Sequence, residues 1–296
     1  MNLYTAPIDY SLTKSIEFIY VGESRAIRVR HPKASGVISL HGAHVLSYQP
    51  TGEEDLLWLS DNSQFDGKAA IRGGIPVCFP WFAKAASPSH GFARTSEWQL
   101  HAYQITQENA LITLQLKDDQ GTDATWPHPF KARLLFEVGE ELNVTLEVMN
   151  IGGHPWTFTG ALHTYLNIGD IDTLSVTGLG KTFIDKLDEN APQAEPETLS
   201  VTSAIDRIYT EPKEEIVVHD PTLGRDIIIK NSGHNSAVVW NPWQEGAQSM
   251  ADMQDDGYQH MLCVESVWYA PTIEEGKTVQ PAKTYQLSTN ISSRPR

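Results

Sequence analysis

The chain has 296 residues, of which 40% are hydrophobic, 20% charged and 9% aromatic, a composition typical of a globular protein with a sizeable core rather than a disordered or fibrous one. Its formal net charge of −15 argues against nucleic acid or an anionic membrane as a partner, because either would require a broad basic surface. The N-terminal stretch has no signal-peptide pattern and no apolar run reaches about 18 residues, so the sequence predicts a cytoplasmic protein.

Short segments rich in β-branched and aromatic residues recur along the chain, separated by Gly, Pro, Asn and Asp, as is typical of antiparallel strands. The predicted strands are 15–21, 25–30, 36–40, 43–48, 55–60, 98–107, 110–117, 132–138, 142–149, two pieces within 156–168, 216–219, 226–230, 237–240, 259–265 and 283–289. One short helix is predicted around 241–250, and an exposed loop at 188–200. The sequence therefore predicts an all-β protein, a large antiparallel β-sandwich that forms one domain over residues 1–296.

Residues 67–96, here called the cationic segment, reverse the charge of the chain. They contain Lys68, Arg72, Lys84 and Arg94 and no Asp or Glu. Four glycines and three prolines predict an irregular loop. Since an anion is repelled by most of this acidic protein, we expect the cationic segment to form the anion-holding wall of a ligand cleft.

Two pairs of residues with metal-binding or redox potential are predicted to be structural. Cys78 and Cys263 are the only cysteines and lack a C-x-x-C spacing, so we expect buried thiols rather than a disulfide or a reactive thiol. His41 and His44 are three residues apart, and such positions in a strand point to opposite faces. The two imidazoles are therefore not expected to bind a metal together.

Three residues are candidates for acid–base chemistry. Glu265 ends an apolar strand, where partial burial would raise its pKa toward that of a general base, although a strand-end Glu paired with Arg or backbone amides fits the same pattern. His163 lies in an apolar stretch and suits either a catalytic group or a satisfied core histidine. His90, between a Pro turn and Gly91, is either an accessible site residue or an ordinary surface histidine.

Three further residues are candidates for ligand binding. Arg72 and Arg94 carry planar donor forks suited to phosphate, on a segment with glycines that allow close backbone approach. Asp206 suits a sugar hydroxyl or half of a surface ion pair, and its position beside Arg207 favours the ion pair. Tryptophans such as Trp240 could stack on a sugar but are more often core residues.

Six motifs together resemble one family. They are IRGGIPVCFPWF at 71–82, HGFAR at 90–94, ALHTYL at 161–166, DRIY at 206–209, WNPW at 240–243 and CVESVWYAP at 263–271. Each alone is weak, but six in family order across nearly the whole chain are specific. The chain resembles the aldose 1-epimerase (mutarotase) superfamily and, within it, the glucose-6-phosphate 1-epimerases.

The resemblance implies a galactose mutarotase-like β-supersandwich without metal or cofactor that interconverts the α and β anomers of a hexose 6-phosphate. It assigns His163 as the general acid and Glu265 as the general base, with His90 assisting beside them. The remaining residues that it assigns all bind substrate: Arg72 and Arg94 hold the phosphate and Asp206 a sugar hydroxyl. Some relatives have Gln where this chain has Ser89, so a sugar contact by Ser89 is an expectation that the shorter side chain weakens.

Two other functions stay open at this point. A free-sugar aldose 1-epimerase would use the same acid and base, but would not need the two arginines. A non-catalytic sugar-phosphate-binding module would not need His163 and Glu265. Glycoside hydrolysis requires two suitably spaced carboxylates, which the candidate residues do not supply. We expect a monomer whose partner is a small-molecule hexose phosphate.

Overall fold

The computed structural model describes residues 3–118, 124, 126–188, 193–194 and 197–296. The first strands are β1 (Ile8–Ser11), β2 (Ile16–Val21), β3 (Ser24–Arg30), β4 (Ala34–Ser39), β5 (Val45–Pro50), β6 (Val77–Cys78), β7 (Gln99–Ile105), β8 (Ala110–Asp118), β9 (Phe130–Val138), β10 (Leu142–Asn150), β11 (Trp156–Phe158) and β12 (Gly160–Leu162). The others are β13 (Tyr165–Asn167), β14 (Ser175–Thr177), β15 (Thr182–Asp185), β16 (Gln193–Ala194), β17 (Thr198–Leu199), β18 (Ile205–Tyr209), β19 (Glu215–Asp220), β20 (Arg225–Ser232), β21 (Ser236–Asn241), β22 (Met261–Trp268), β23 (Lys277–Val279) and β24 (Thr284–Pro295). One helix, α1 (Trp243–Ser249), and three 3₁₀ turns, Leu3–Thr5, Ala93–Thr95 and Gly257–His260, complete the described elements.

The strands form antiparallel sheets. The first five build one sheet in the order β1-β2-β3-β4-β5, through successive pairings of neighbouring strands. A nine-stranded sheet has the order β17-β14-β19-β20-β24-β10-β9-β8-β7. An eight-stranded sheet runs β16-β15-β18-β21-β22-β12-β6, with β13 also paired to β22, and β11 pairs with β23. The prediction of a large antiparallel all-β protein is confirmed.

The central hairpin shows why this sequence forms sheets. In both β9 and β10 buried residues alternate with less buried ones along the whole strand. This period of two matches the alternation of side chains across a sheet, so one face of each strand packs in the core. Leu142 pairs with Val138 around the turn at Gly139, so the two predicted strands form a hairpin.

The three larger sheets share one hydrophobic core. Ile27 of β3, Phe136 of β9 and Val264 of β22 are fully buried members of the same cluster. Hydrogen bonds also join the sheets: the Tyr48 hydroxyl donates to the Gly139 carbonyl at 3.0 Å. Burial of this much apolar surface is the main term that holds sheets together face to face.

Some local predictions differ from the structure. Residues 55–60 form isolated bridges, Leu57 to Leu166 and Leu59 to Gly73, rather than a continuous strand. The predicted loop at 188–200 lies partly outside the described residues, and its described part contains β16 and β17. Strands β14, β15 and β18 were not predicted, whereas the helix expected around 241–250 is present as α1. Within the described ranges, no helix has the length and apolar character needed to cross a membrane.

Candidate active site

A cavity of about 610 Å³ lies on one face of the eight-stranded sheet. Residues paired across antiparallel strands share a face, and the pairs Asp206–Trp240 and Val238–Glu265 put all four side chains on the same one. These four residues line the cavity, together with parts of the cationic segment. The pairing of β18, β21 and β22 thus builds the cavity floor.

Strand β22 brings the two acid–base candidates together. Glu265 lies on β22, while His163 lies between β12 and β13, both of which pair with that strand. The backbone around His163 is fixed by two hydrogen bonds, from its own N–H to the Pro76 carbonyl at 3.0 Å and from the Val264 N–H to the Thr164 carbonyl at 3.1 Å. As a result, His163 Nε2 lies 3.4 Å from Glu265 Oε1.

Burial shifts both groups toward their uncharged forms. It raises the pKa of Glu265 well above its ordinary value, and the Asp206 carboxylate raises it further. Burial also lowers the pKa of His163 well below its ordinary value, with the charges of Arg72 and Arg94 acting in the same direction. Within the described structure Glu265 Oε2 and His163 Nδ1 have no hydrogen-bond partner. Two neighbouring buried groups that each keep one atom free of hydrogen bonds can exchange protons with a ligand.

His90 lies next to this pair as a neutral imidazole. Its ring centroid is 5.5 Å from that of His163. The Ala83 N–H donates to His90 Nδ1 at 3.3 Å, and the Cys78 sulfur lies 3.3 Å from the same nitrogen. Because Nδ1 accepts, the ring proton belongs on Nε2. Burial lowers the pKa of His90 to about 3, so it can donate a hydrogen bond while remaining uncharged.

Two buried histidines anchor the cationic segment from behind. His44 Nε2 lies 2.6 Å from the Gly73 carbonyl, and His41 Nε2 lies 2.9 Å from the Ala69 carbonyl. Both are therefore buried histidines whose Nε2 atoms bond different backbone carbonyls. Residues 41–44 form a turn and not the strand on which the expectation about a metal was based.

Arg72 lines the cavity with its side chain already held in place. Asp252 accepts from Nε at 3.2 Å and from Nη2 at 3.0 and 3.2 Å, and the Tyr165 hydroxyl accepts from Nη1 at 3.0 Å. Tyr165 in turn stacks on the ring of His163, with centroids 4.9 Å apart and planes at 10°. Arg72 thus connects a distant loop to the acid–base pair.

Arg94 and Ser89 also line the cavity. Arg94 Nη2 donates to the backbone carbonyl of Ser89 at 2.8 Å. The Ser89 hydroxyl donates to the Ala83 carbonyl at 3.1 Å. Ser89 therefore orients the arginine through its backbone and stabilises the turn through its side chain.

Asp206 is directed into the cavity and not into the ion pair expected from its neighbour. Arg207 donates instead to Asp185 at 2.9 Å. Burial raises the pKa of Asp206, with Lys186 acting in the opposite direction. Lys186 was not recognised in the sequence, where it follows β15 without a distinctive motif, yet it lines the same cavity.

The structure brings together all seven residues that the sequence and the resemblance singled out. Of the tryptophans considered, Trp240 lines the cavity and meets His163 edge-on at 6.3 Å between centroids. The cavity is also lined by three residues to which the resemblance gave no role: Tyr165, Trp240 and Lys186.

One cluster in the described residues has the composition of a metal site. Ligand atoms of His163, Cys263 and Glu265 lie within 4.8 Å of one another. Burial raises the pKa of the Cys263 thiol well above its ordinary value, which disfavours the thiolate that a metal would require. Cys263 and Cys78 are both free and buried, which confirms the expectation of buried thiols.

Comparison with known proteins gives one consistent match. Residues 25–292 match the family model described as aldose 1-epimerase. The chain is 36% identical over 289 residues to a Salmonella typhimurium protein named "Putative glucose-6-phosphate 1-epimerase", covering 96% of this chain and 97% of that protein. An Escherichia coli protein of the same name is 36% identical over 275 residues, covering 92% of each.

Solved structures agree with this match. The crystal structure of a "putative mutarotase" from Salmonella typhimurium superposes with a TM-score of 0.93 at 36% identity, covering 99% of this chain and 98% of the other. A galactose 1-epimerase from Lactobacillus acidophilus superposes with a TM-score of 0.72 at 14% identity, covering 96% and 99%. The second likeness concerns the fold alone.

Proposed function

The chain belongs to the aldose 1-epimerase family, and on this premise we propose that it is an isomerase that interconverts the α and β anomers of D-glucose 6-phosphate and related aldohexose 6-phosphates. The observation that carries the proposal is the 3.4 Å approach of His163 Nε2 to Glu265 Oε1, in a cavity bordered by arginine and lysine side chains. Its relatives are named for the same reaction on the same sugar phosphate.

Anomer exchange requires two proton transfers, one at each of the two oxygens bonded to C1. A base removes the proton of the anomeric hydroxyl while an acid protonates the ring oxygen, and the ring opens. We assign Glu265 as the base, with its unpartnered Oε2 as an open acceptor, and His163 as the acid. Rotation about the C1–C2 bond and reversal of both transfers then closes the ring as the other anomer.

The surroundings of the pair favour this exchange. Ring opening converts an ionised Glu265 and a protonated His163 into a neutral acid and a neutral imidazole, which is the state that burial stabilises. The 3.4 Å separation offsets part of the cost of the charged state, because the two opposite charges attract each other. The free-energy difference between the two proton arrangements is thereby reduced, so each group can give and take a proton in turn.

The other cavity residues position the sugar in this proposal. His90 donates a hydrogen bond from a neutral ring, and Asp206 accepts one from a sugar hydroxyl. Arg94 and Arg72 place positive charge where the 6-phosphate would bind. Binding energy from a phosphate remote from C1 would hold C1 and its two oxygens against the base and the acid.

The reaction needs no metal or cofactor in this scheme, because both steps are proton transfers. Activity that survives dialysis against a chelator is the expected result. Loss of activity on chelation, restored by one metal ion, would instead assign a metal to the cluster of His163, Cys263 and Glu265.

Anomeric exchange measured by NMR tests the function directly. The exchange rate of glucose 6-phosphate is compared with those of glucose and galactose, with buffer catalysis subtracted. Acceleration restricted to the phosphorylated sugar is expected. Equal acceleration of free sugars would identify a free-sugar aldose 1-epimerase, and no acceleration of any sugar would leave a binding module.

A further inference from the structure

Four cationic side chains line the cavity: Arg72, Lys84, Arg94 and Lys186. A phosphate dianion needs donors that are free to turn toward it, and not only nearby charge. The contacts that each cation already makes therefore indicate which ones are available to bind it.

Arg72 has little left to offer as a donor. Each of its three guanidinium nitrogens already donates to Asp252 or Tyr165, at 3.0–3.2 Å. Its side chain is 25% exposed and that of Asp252 35%. Binding a phosphate through the fork of Arg72 would require breaking a bidentate carboxylate pair, which is among the stronger side-chain contacts. Arg72 supplies charge, but its hydrogen bonds serve Asp252 and Tyr165.

Arg94 has one described contact, from Nη2 to the Ser89 carbonyl, and so retains donors that can face the cavity. One partly occupied arginine would leave a dianion underneutralised, particularly beside Asp206 and Glu265. A second available cation is needed. Of the two lysines that line the cavity, Lys186 and not Lys84 acts through its charge on cavity residues Asp206 and His90.

Lys186 is placed to be that cation. It follows β15, across the cavity floor from the cationic segment, and its backbone N–H donates to the Asp206 carbonyl at 2.8 Å. This bond fixes its Cα beside the wall while the exposed side chain retains its freedom. Within the described residues its ammonium forms no ion pair, and its charge acts on both Asp206 and His90.

We propose that Lys186 is a substrate-binding residue whose ammonium holds the phosphate of the sugar together with Arg94, and that Arg72 is a positioning residue that fixes Tyr165 beneath His163. The inference rests on the proposed function, because it concerns the phosphate of the same substrate. Selectivity for the phosphate would then depend on Lys186, at the end of β15, as well as on the cationic segment.

The test uses 1,5-anhydroglucitol 6-phosphate, which lacks the anomeric hydroxyl and cannot be turned over. Its binding is measured by calorimetry on the wild type, on Lys186→Met, which keeps the length without the charge, and on Lys283→Met as a matched control, an exposed lysine that does not line the cavity. Loss of a charge-assisted contact should weaken binding roughly 10- to 100-fold in Lys186→Met. Lys283→Met should change it by less than about threefold, and Lys186→Arg should recover most of the affinity.

Binding of unphosphorylated 1,5-anhydroglucitol separates the possible roles of the lysine. Unchanged binding of this sugar in Lys186→Met is expected. Equal losses for both sugars would assign Lys186 to a hydroxyl and overturn the proposal, as would wild-type affinity of Lys186→Met for the phosphorylated analogue. Failure of the wild type to bind that analogue would overturn the proposed function itself, a result distinct from either.

The role of Arg72 is tested by its kinetics. If it positions Tyr165 and His163, Arg72→Met should lower kcat at least tenfold while KM for glucose 6-phosphate changes by less than about threefold. A rise in KM with unchanged kcat would return Arg72 to the phosphate and overturn this part of the inference. Lys186→Met should show the opposite pattern, with KM raised and kcat retained.

Discussion

Glu265 is placed where a charge is costly to the folded state. Its side chain is 1% exposed, and in the described structure one of its oxygens has no hydrogen-bond partner. An isosteric amide would remove the charge from this environment, whereas the proposed role of Glu265 as the base requires a carboxylate there. The residue therefore exchanges stability for reactivity, a compromise common at active sites.

This compromise predicts how stability depends on pH. Because the pKa of Glu265 is raised in the folded state, its favourable contribution is complete below the ordinary value of 4.5 and is lost as the pH rises through the folded value. Glu265→Gln should therefore unfold at a higher temperature than the wild type, by a margin that grows as the pH rises from 4.5. Thermal unfolding measured from pH 4.5 to 8 checks this.

Glu274→Gln serves as an exposed control with the same change in net charge. A similar pH-dependent gain in Glu274→Gln would mean that overall charge, and not burial at the active site, causes the effect. His163 changes stability with pH in the opposite direction, because its lowered pKa costs stability as the pH falls below 6.5. The wild type and Glu265→Gln share this effect, so it does not alter the difference between them.

The acid–base assignment predicts a selective kinetic loss. His163→Ala and Glu265→Gln should each lower kcat for anomer exchange by roughly 10²- to 10⁴-fold, because each removes one of the two proton transfers. Binding of the non-reacting anhydro sugar phosphate should remain largely intact. Weakened binding with normal turnover of bound substrate would contradict the assignment.

At the residue scale the sequence predicted the members of the site better than their contacts. The apolar setting of Glu265 and the resemblance indicated the acid–base pair, because burial is visible in neighbouring residues. The pairing of Arg72 with Asp252 was not predictable, since 180 residues separate them and no local pattern connects them. Lys186 was missed for the same reason: its relation to Asp206 exists only once β15 and β18 are paired.

Among the elements, the cationic segment depends most on backbone geometry. Gly74 has a φ of +60°, and a Cβ added there would lie 2.1 Å from the Val45 carbonyl oxygen. Its own carbonyl accepts the Tyr165 N–H at 2.9 Å. The close approach of this segment to β5 thus fixes the strand piece that carries Tyr165.

Gly74→Ala should therefore lower both stability and kcat. Gly67→Ala is the matched control, because Gly67 has a similar φ of +70° but nothing within 4 Å of an added Cβ. The control should cost about 1 kcal/mol for the left-handed backbone alone, and Gly74→Ala several times more because backbone must move. Equal losses in the two variants, measured by denaturant unfolding, would show that close packing at Gly74 is unimportant.

Elements of different length were predictable to different degrees. The nine-residue strands β9 and β10 show clear alternation, so both could be recognised from the sequence. Strands of three residues such as β12, β13 and β14 are too short for any period to be visible. They become strands because longer neighbours such as β22 supply the hydrogen-bonding partners.

For the whole molecule, charge favours separate copies. The net charge of −15 makes two chains repel each other. The large exposed hydrophobic side chains are few in the described structure, and those on strands are confined to the edge regions of β1, β2 and β7, including Ile8, Tyr20 and Tyr103. That the chain forms one domain and acts as a monomer in the cytoplasm stays a prediction.

Light scattering coupled to size-exclusion chromatography checks the oligomeric state. A mass of 32.9 kDa is expected at both low and high protein concentration. A mass twice as large at low salt would contradict the monomer. A dimer that forms only in high salt would show that repulsion keeps the copies apart, because salt screens it.

The proposed acid–base pair and the proposed phosphate-binding residue Arg94 lie in different parts of the fold. Glu265 and His163 are fixed by the pairing of β22 with its neighbours. Ser89 lies in a loop, and Arg94 lies in the 3₁₀ turn Ala93–Thr95 that follows it. A protein engineer could therefore graft a different turn between residues 83 and 94 to accept another sugar substituent, provided His90 is preserved. The sheet that carries Glu265 and His163 would stay unchanged, and exchanging the loop beside it would change which substrates bind.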